Sequence, residues 1–160
     1  MDTVRLVALV VATVSSGLIA GLFFGYHAAV VTALRAMDDQ TYVNVNRNVN
    51  KHIQNGRFFL TFFGSALFSA VAAVLLLGGG RGSVLLPTGL AFLFNMAAIV
   101  VTIGGNIPIN NAVDRSTPDQ ASATRERYET RWNRFNAIRS WLHGLGFGCL
   151  CWALVAFGAL

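Results

Sequence analysis

Three histidines, a scatter of asparagines and one stripe of aromatic and basic residues are the side chains in this 160-residue chain whose types and spacing could do chemistry. Tyr26 and His27 close a long uncharged stretch. The polar segment that follows includes Asn44, Asn46, Arg47, Asn48, Asn50, Lys51, His52, Gln54 and Asn55. Further on come Asn106-Ile107-Pro108-Ile109-Asn110-Asn111, and then Arg131-Trp132-Asn133-Arg134-Phe135-Asn136-Ala137-Ile138-Arg139, with His143 just beyond. On a helix, Tyr128, Trp132, Asn136, Arg139 and His143 lie at steps of four, four, three and four and share one face. Asn48, His52 and Asn55 share a face on the same condition. A pocket with aromatic walls, a few amides, a guanidinium and a histidine suits a flat, oxygenated aromatic ligand. The rings stack, and the amides or the arginine hold phenolate oxygens. The structural alternative is that these asparagines cap helix ends or hydrogen-bond between helices, and that Asn106 ahead of Pro108 stops a helix.

Other chemistries have weaker support. His27, His52 and His143 would bind a metal or haem only if the fold converged them, and no HxxxH or HxH spacing points that way. The chain has no Gly-rich phosphate loop, serine nucleophile elbow or CxxC. Cys149 and Cys151 stand two apart in an apolar run, where a helix turns them to different faces, so they make neither a disulfide framework nor a zinc site. Glu126 and Glu129 lie three apart among arginines and read as ion-paired on a solvated face.

Four long uncharged stretches must position these groups. Hydrophobic residues make up 54% of the chain and charged residues 12%, against roughly 25% charged in soluble domains. The mean hydropathy is +0.56. So few charges cannot cover a soluble protein of this size, whereas in a bilayer the apolar exterior faces lipid. The stretches Leu6 to Leu34, Phe58 to Gly80, Gly82 to Val113 and Ser140 to Leu160 each exceed the roughly 20 residues that cross about 30 Å of hydrocarbon as a helix. The spans are placed at 4–26, 58–77, 84–104 and 140–159, giving one all-α membrane domain, a four-transmembrane-helix bundle. The first stretch is too long for the apolar core of a signal peptide. Gln120 to Arg139 contains no Gly or Pro and is expected to extend the fourth helix into the cytoplasm, with Pro118-Asp119 as its start signal. Gly78 to Ser83 reads as a tight turn between the second and third spans.

Charge bias sets the expected orientation. The net charge is +5, and ten of the twelve basic residues fall in the two long connections. The positive-inside rule puts those connections in the cytoplasm of a multi-pass cell-membrane protein and both termini outside. Flanking charges of this kind account for the basic pI without a nucleic-acid partner. Gly17, Gly21 and Gly25 on the first span, and Gly144 and Gly148 on the fourth, let helices approach closely and also suit a homo-oligomer.

Taken together, these motifs resemble the anthrone oxygenase-like family of small four-helix membrane proteins over nearly the whole chain. The resemblance rests on the Gly-rich first helix, on Asn50, Asn55 and Phe58 opening helix two, and on Thr102 with Asn106-Ile107-Pro108-Ile109-Asn110-Asn111. It also rests on Arg127, Trp132, Asn136 and Arg139 before helix four. The chain departs from the family at Asn46-Arg47, where Met-Gln is frequent, and at Gly56, where Pro is frequent. The resemblance implies an oxygenase or oxidase acting on an aromatic or polyketide-like molecule such as an anthrone. A proton is removed from an acidic methylene and the carbanion reacts with O2, with no cofactor beyond O2 required. On that reading His52 or His27 is the base, and Arg131, Arg139, Asn106 and Asn110 stabilise the anion. Trp132 is the stacking wall, and Tyr26, Asn50, Asn55 and Asn136 complete the substrate-binding set. The rivals are a metal- or haem-dependent membrane oxidase using the histidines, and a non-enzymatic membrane subunit or ligand-binding protein.

Overall fold

A computed structural model describes residues 1–78 and 81–159. Among these residues the chain forms five helices. They are α1 (Asp2–Arg35), α2 (Asp39–Ile53), α3 (Gly56–Leu76), α4 (Gly82–Arg115) and α5 (Pro118–Gly158). Four of them, α1, α3, α4 and α5, are long and apolar enough to cross a membrane. The turn expected between the second and third spans lies partly outside the described residues, at Gly79 and Gly80.

Each spanning helix divides its apolar residues between two environments. On α1, Leu9, Ala12, Ser16, Ile19 and Phe23 recur at helical spacing and are buried, while Val7, Val14, Leu18 and Leu22 are exposed. Lipid can take that exposed face, so it need not be polar. Around the bundle, α1 packs on α3 and α5, and α4 packs on the same two helices. The two termini and the start of α4 share one end. There the Arg81 guanidinium pairs with Asp2 at 2.8 Å and lies over the Phe157 ring, and Arg5 Nε donates to the Leu75 carbonyl at 2.7 Å.

The opposite, polar end is more ordered than its composition suggests. The asparagine-rich connection is itself the helix α2. Asp38 caps it, accepting from the Thr41 amide at 2.9 Å and the Thr41 hydroxyl at 2.6 Å. Those two bonds, the hydroxyl's first, hold the exposed Asp38 carboxyl below its usual range. Arg47 on α2 donates from Nε to the Val113 carbonyl at 3.1 Å and from Nη2 to the Ser116 carbonyl and hydroxyl, tying α2 to the end of α4. Arg125 on α5 ties in the end of α1: it donates to the carbonyls of Met37 and Arg35 and pairs with Asp39 and Glu129. α5 starts where Pro118-Asp119 predicts, behind a capping box of Thr117 and Gln120.

Two expectations need correction. The helices of spans one and three do not stop near Tyr26 and Gly104 but continue to Arg35 and Arg115. Nor does Asn106 with Pro108 end a helix. Instead each helix takes one turn of wider π geometry, at Tyr26–Val30 and at Thr102–Asn106, and then resumes. Pro108 lies just past the second π turn, near the start of the α-helical segment Ile107–Arg115. A proline there has no amide to donate and its ring crowds the carbonyl four residues back. A locally widened register accommodates both. Of the glycines expected at helix contacts, Gly17 does meet a neighbour, since a Cβ there would lie 2.9 Å from the Phe147 ring. Gly21, Gly25, Gly144 and Gly148 face open space.

Candidate functional site

Both π turns sit at the polar end of the bundle, and π turns of this kind frequently mark functional sites. The first carries Tyr26 and His27, the second Thr102 and Asn106. Between them α5 presents its stripe. Trp132, Asn136, Arg139 and His143 are all buried, and Tyr128 is half-buried, as the spacing predicts.

A cavity of about 160 Å³ lies among these elements. Tyr26 and Phe23 of α1, Phe58 and Phe62 of α3, Thr102 and Asn110 of α4, and Trp132 and Arg139 of α5 form its walls. Val49, Asn50 and Ile53 of α2, with Gln54 just past its end, border it on the side of the polar connections. Its volume is close to the roughly 150 Å³ of a dry apolar cavity that holds benzene, so one aromatic ring fits within the walls as they stand.

The electrostatics of the site centre on Arg139. This residue is 7% exposed. It donates from Nε and Nη2 to the Asn136 Oδ1 at 3.1 and 2.9 Å, and no carboxylate pairs with it among the described residues. Its guanidinium lies 4.0 Å from the Phe23 ring centroid and 5.5 Å from that of Trp132. Aromatic faces stabilise a buried cation in part, but a buried charge ordinarily requires a counter-ion. Trp132 is fixed by its Nε1, which donates to the Asn110 Oδ1 at 2.7 Å, and its carbonyl accepts from the Asn106 Nδ2 at 3.3 Å. Tyr26 Oη, Asn106 Oδ1 and Asn136 Nδ2, on residues that line the cavity or bond to its walls, are buried with no partner. Native proteins seldom leave such atoms unpaired.

A second polar group lies deeper between the spans. His143 Nδ1 is 2.8 Å from the Asn95 Oδ1. Asn95 Nδ2 donates to the Ser16 hydroxyl at 3.2 Å and to the Ser65 carbonyl at 3.5 Å. With the amide oriented in this way, the His143 proton sits on Nδ1 and the lone pair on Nε2, which is buried and unpartnered. The His143 ring stacks on Phe23 at 5.4 Å and meets Phe62 edge-on at 6.0 Å, and both of these rings are cavity walls. Sequence reasoning places His143 on the shared pocket face and among the possible metal or haem ligands but does not offer it as the base, and it passes over Asn95, Ser16 and Ser65. The available signal is Asn95, the only amide in the third span's apolar run, where a polar group is costly.

The sequence-predicted residues therefore divide. Tyr26, Asn50, Asn110, Trp132 and Arg139 line the cavity, and Asn106 and Asn136 bond directly to its walls. His52 does not join them: it is exposed on α2, which instead buries Tyr42, Val43, Asn46 and Asn50. Asn55 is the N-cap of α3, its Oδ1 accepting from the amides of Arg57 and Phe58. Arg131 is exposed. His27 is half-buried and lines surface grooves rather than the cavity. The three histidines thus occupy separate places, and no group of three or more His, Cys, Asp or Glu side chains suited to a metal ion occurs among the described residues.

No curated protein and no solved structure matches the chain. The sequence model described as anthrone oxygenase matches residues 58–149, more than half of the chain. That stretch contains Asn95, Asn106, Asn110, Trp132, Asn136, Arg139 and His143. The chain belongs to the anthrone oxygenase family.

Proposed function

We propose that the protein oxidises an anthrone-like aromatic ketone at its acidic ring methylene, with O2 as oxidant. The observation that carries this reading is Arg139, a buried guanidinium with no carboxylate partner at the wall of an aromatic cavity. Deprotonating the methylene moves negative charge onto the ketone oxygen. Arg139 and the unpartnered Tyr26 hydroxyl are donors for that oxygen, while Trp132 and Phe58 hold the rings. Donors fixed in advance in a dry site stabilise such an anion far better than water does.

His143, the histidine packed on two cavity walls, is the base in this reading, and its unpartnered Nε2 takes the proton. His52 and His27, the bases suggested by the sequence, lie away from the cavity. The electron-rich carbanion gives an electron to O2, and the two radicals combine into a peroxide at the same carbon. Loss of water leaves a carbonyl. One methylene and one O2 become one C=O and one H2O, which balances with no further reductant. The polar end, with the cavity, faces the cytoplasm.

The test is O2 uptake and quinone absorbance with purified protein and an anthrone. Arg139→Met should lower turnover per folded molecule about a hundredfold, the equivalent of roughly 2.7 kcal/mol of barrier. It should leave the detergent melting temperature within a few degrees. Turnover unchanged in Arg139→Met would overturn the assignment. Wild-type protein that binds an anthrone without consuming O2 would instead favour the ligand-binding reading.

A further inference from the structure

The cavity is covered on its polar side by α2, and its remaining rim is apolar. Leu22, Phe59, Phe63, Ile103 and Ile107 are between 41% and 54% exposed, and all five line the cavity. Their depth follows from α3. This helix has 21 residues between the Asn55 cap and Leu77, about 31 Å at 1.5 Å per residue, which is the thickness of the hydrocarbon layer. Phe59 and Phe63 stand in its first two turns, at the level of the acyl chains. A cavity that filled from water would carry polar groups around its opening, whereas these five side chains are the kind that lipid covers. Arg139 lines the same cavity and is buried. The space inside also takes only one ring, so a fused three-ring ligand held at Arg139 must extend toward the rim.

From this geometry we infer that the substrate is a membrane-dissolved polycyclic aromatic that enters sideways from the bilayer, through a mouth rimmed by Leu22, Phe59, Phe63, Ile103 and Ile107. It passes inward until its acidic oxygen meets Arg139. This inference rests on the proposed function for the identity of the ligand class but not for the existence of the mouth. An anthrone is neutral and lipophilic before it loses its proton, so it concentrates in the bilayer, and the product can leave by the same way.

The experiment uses full-length protein in phosphatidylcholine nanodiscs, with Trp141→Phe and Trp152→Phe leaving Trp132 as the sole tryptophan. Two probes quench tryptophan: 1,8-dihydroxyanthraquinone, which partitions into lipid, and anthraquinone-2-sulfonate, which stays in water. Stopped-flow fluorescence should show the neutral probe quenching Trp132. In Leu22→Phe/Ile103→Phe its association and dissociation should both slow about tenfold, while the equilibrium constant changes less than threefold, because narrowing a route alters both directions alike. The sulfonate offered in water should reach Trp132 at least tenfold more slowly. A sulfonate as fast as the neutral probe, or rates unchanged by the rim substitutions, overturns the lateral route. Should the rim variant not fold, lipids brominated in mid-chain provide the second measurement. They should quench Trp132 in the unaltered rim and lose that effect when the neutral probe is bound, and absence of quenching overturns the mouth. Quenching by the neutral probe, together with no O2 consumption when 1,8-dihydroxyanthrone is supplied instead, leaves the route standing and removes the oxygenase reading. Failure of both probes to quench removes the cavity as a ligand site altogether.

Discussion

Arg139 and His143 stand one helical turn apart on α5 and both pack on the Phe23 ring, the guanidinium 4.0 Å and the imidazole 5.4 Å from its centroid. In the proposed reaction these two residues would divide the work, Arg139 holding the anion and His143 taking the proton. Asn95 would then serve the second task by fixing which ring nitrogen carries hydrogen, the usual role of a residue that orients a base. A prediction follows from that division. If His143 removes the proton, His143→Gln should retain its packing and lose turnover at neutral pH. Its rate should then rise about tenfold for each pH unit, because pre-ionised substrate bypasses the missing base. Wild-type turnover should be flat over the same interval. A variant equally impaired at every pH would show that His143 only props Phe23. Asn95→Leu should resemble His143→Gln in this profile, since without its partner the imidazole has no fixed tautomer.

At the scale of elements, the two π turns and the helix α2 bring the cavity together. A Cβ on Gly105, inside the second π turn, would lie 2.7 Å from the Cγ of Phe135, near the root of a ring that cannot swing away, whereas Gly104 beside it faces open space. Gly105→Ala should therefore cost about 1–3 kcal/mol through overpacking, read as a clear fall in detergent melting temperature. Gly104→Ala should leave that temperature nearly unchanged, and equal effects would contradict the close approach of α4 and α5. The cap of α2 gives a pH dependence. The bonds from Thr41 hold the folded Asp38 carboxyl below its ordinary value. Its contribution to capping α2 is thus present above the ordinary carboxylate range and is lost as pH falls through the depressed value. Protection factors along α2, corrected for the intrinsic exchange rate at each pH, should fall on acidification, and Asp38→Asn should remove most of that fall. The start of α5 is legible in the sequence because a Thr-Pro-Asp-Gln cap has local chemistry. The π turns are not, because inserting one residue into an apolar helix leaves the composition unchanged. α2 is only a conditional helix in the sequence because its apolar positions, Tyr42, Val43, Val45, Val49 and Ile53, are interleaved with four asparagines.

For the whole molecule, a low charge content fixes the solvent, and four alternating spans bring their polar connections to one end. That is why Tyr26, Asn50, Asn110, Trp132 and Arg139 could be grouped before any contact was known. The histidines could not be assigned in the same way. Which face of α2 turns inward depends on packing against α4 and α5, and that packing buries Asn50 and leaves His52 in solvent. Orientation in the membrane is the remaining property of the whole chain. Of the ten basic residues at the polar end, Arg139 is buried in the cavity wall, which leaves nine against Arg5 and Arg81 at the end that carries the termini. Arg47 and Arg125 are engaged with backbone carbonyls, yet their charge still resists crossing the bilayer. The bias therefore survives the removal of the one arginine that serves the site, and both termini should lie outside. A C-terminal alkaline phosphatase fusion, active only outside the cytoplasm, should be active, and a C-terminal green fluorescent protein exported in the unfolded state should be dark. Replacing Arg127, Arg131 and Arg134 with Gln, and adding three lysines after Leu160, should weaken or reverse both signals. The reverse pattern in the unaltered protein would place the polar end outside, and the substrate would then be reaching Arg139 from the outer leaflet.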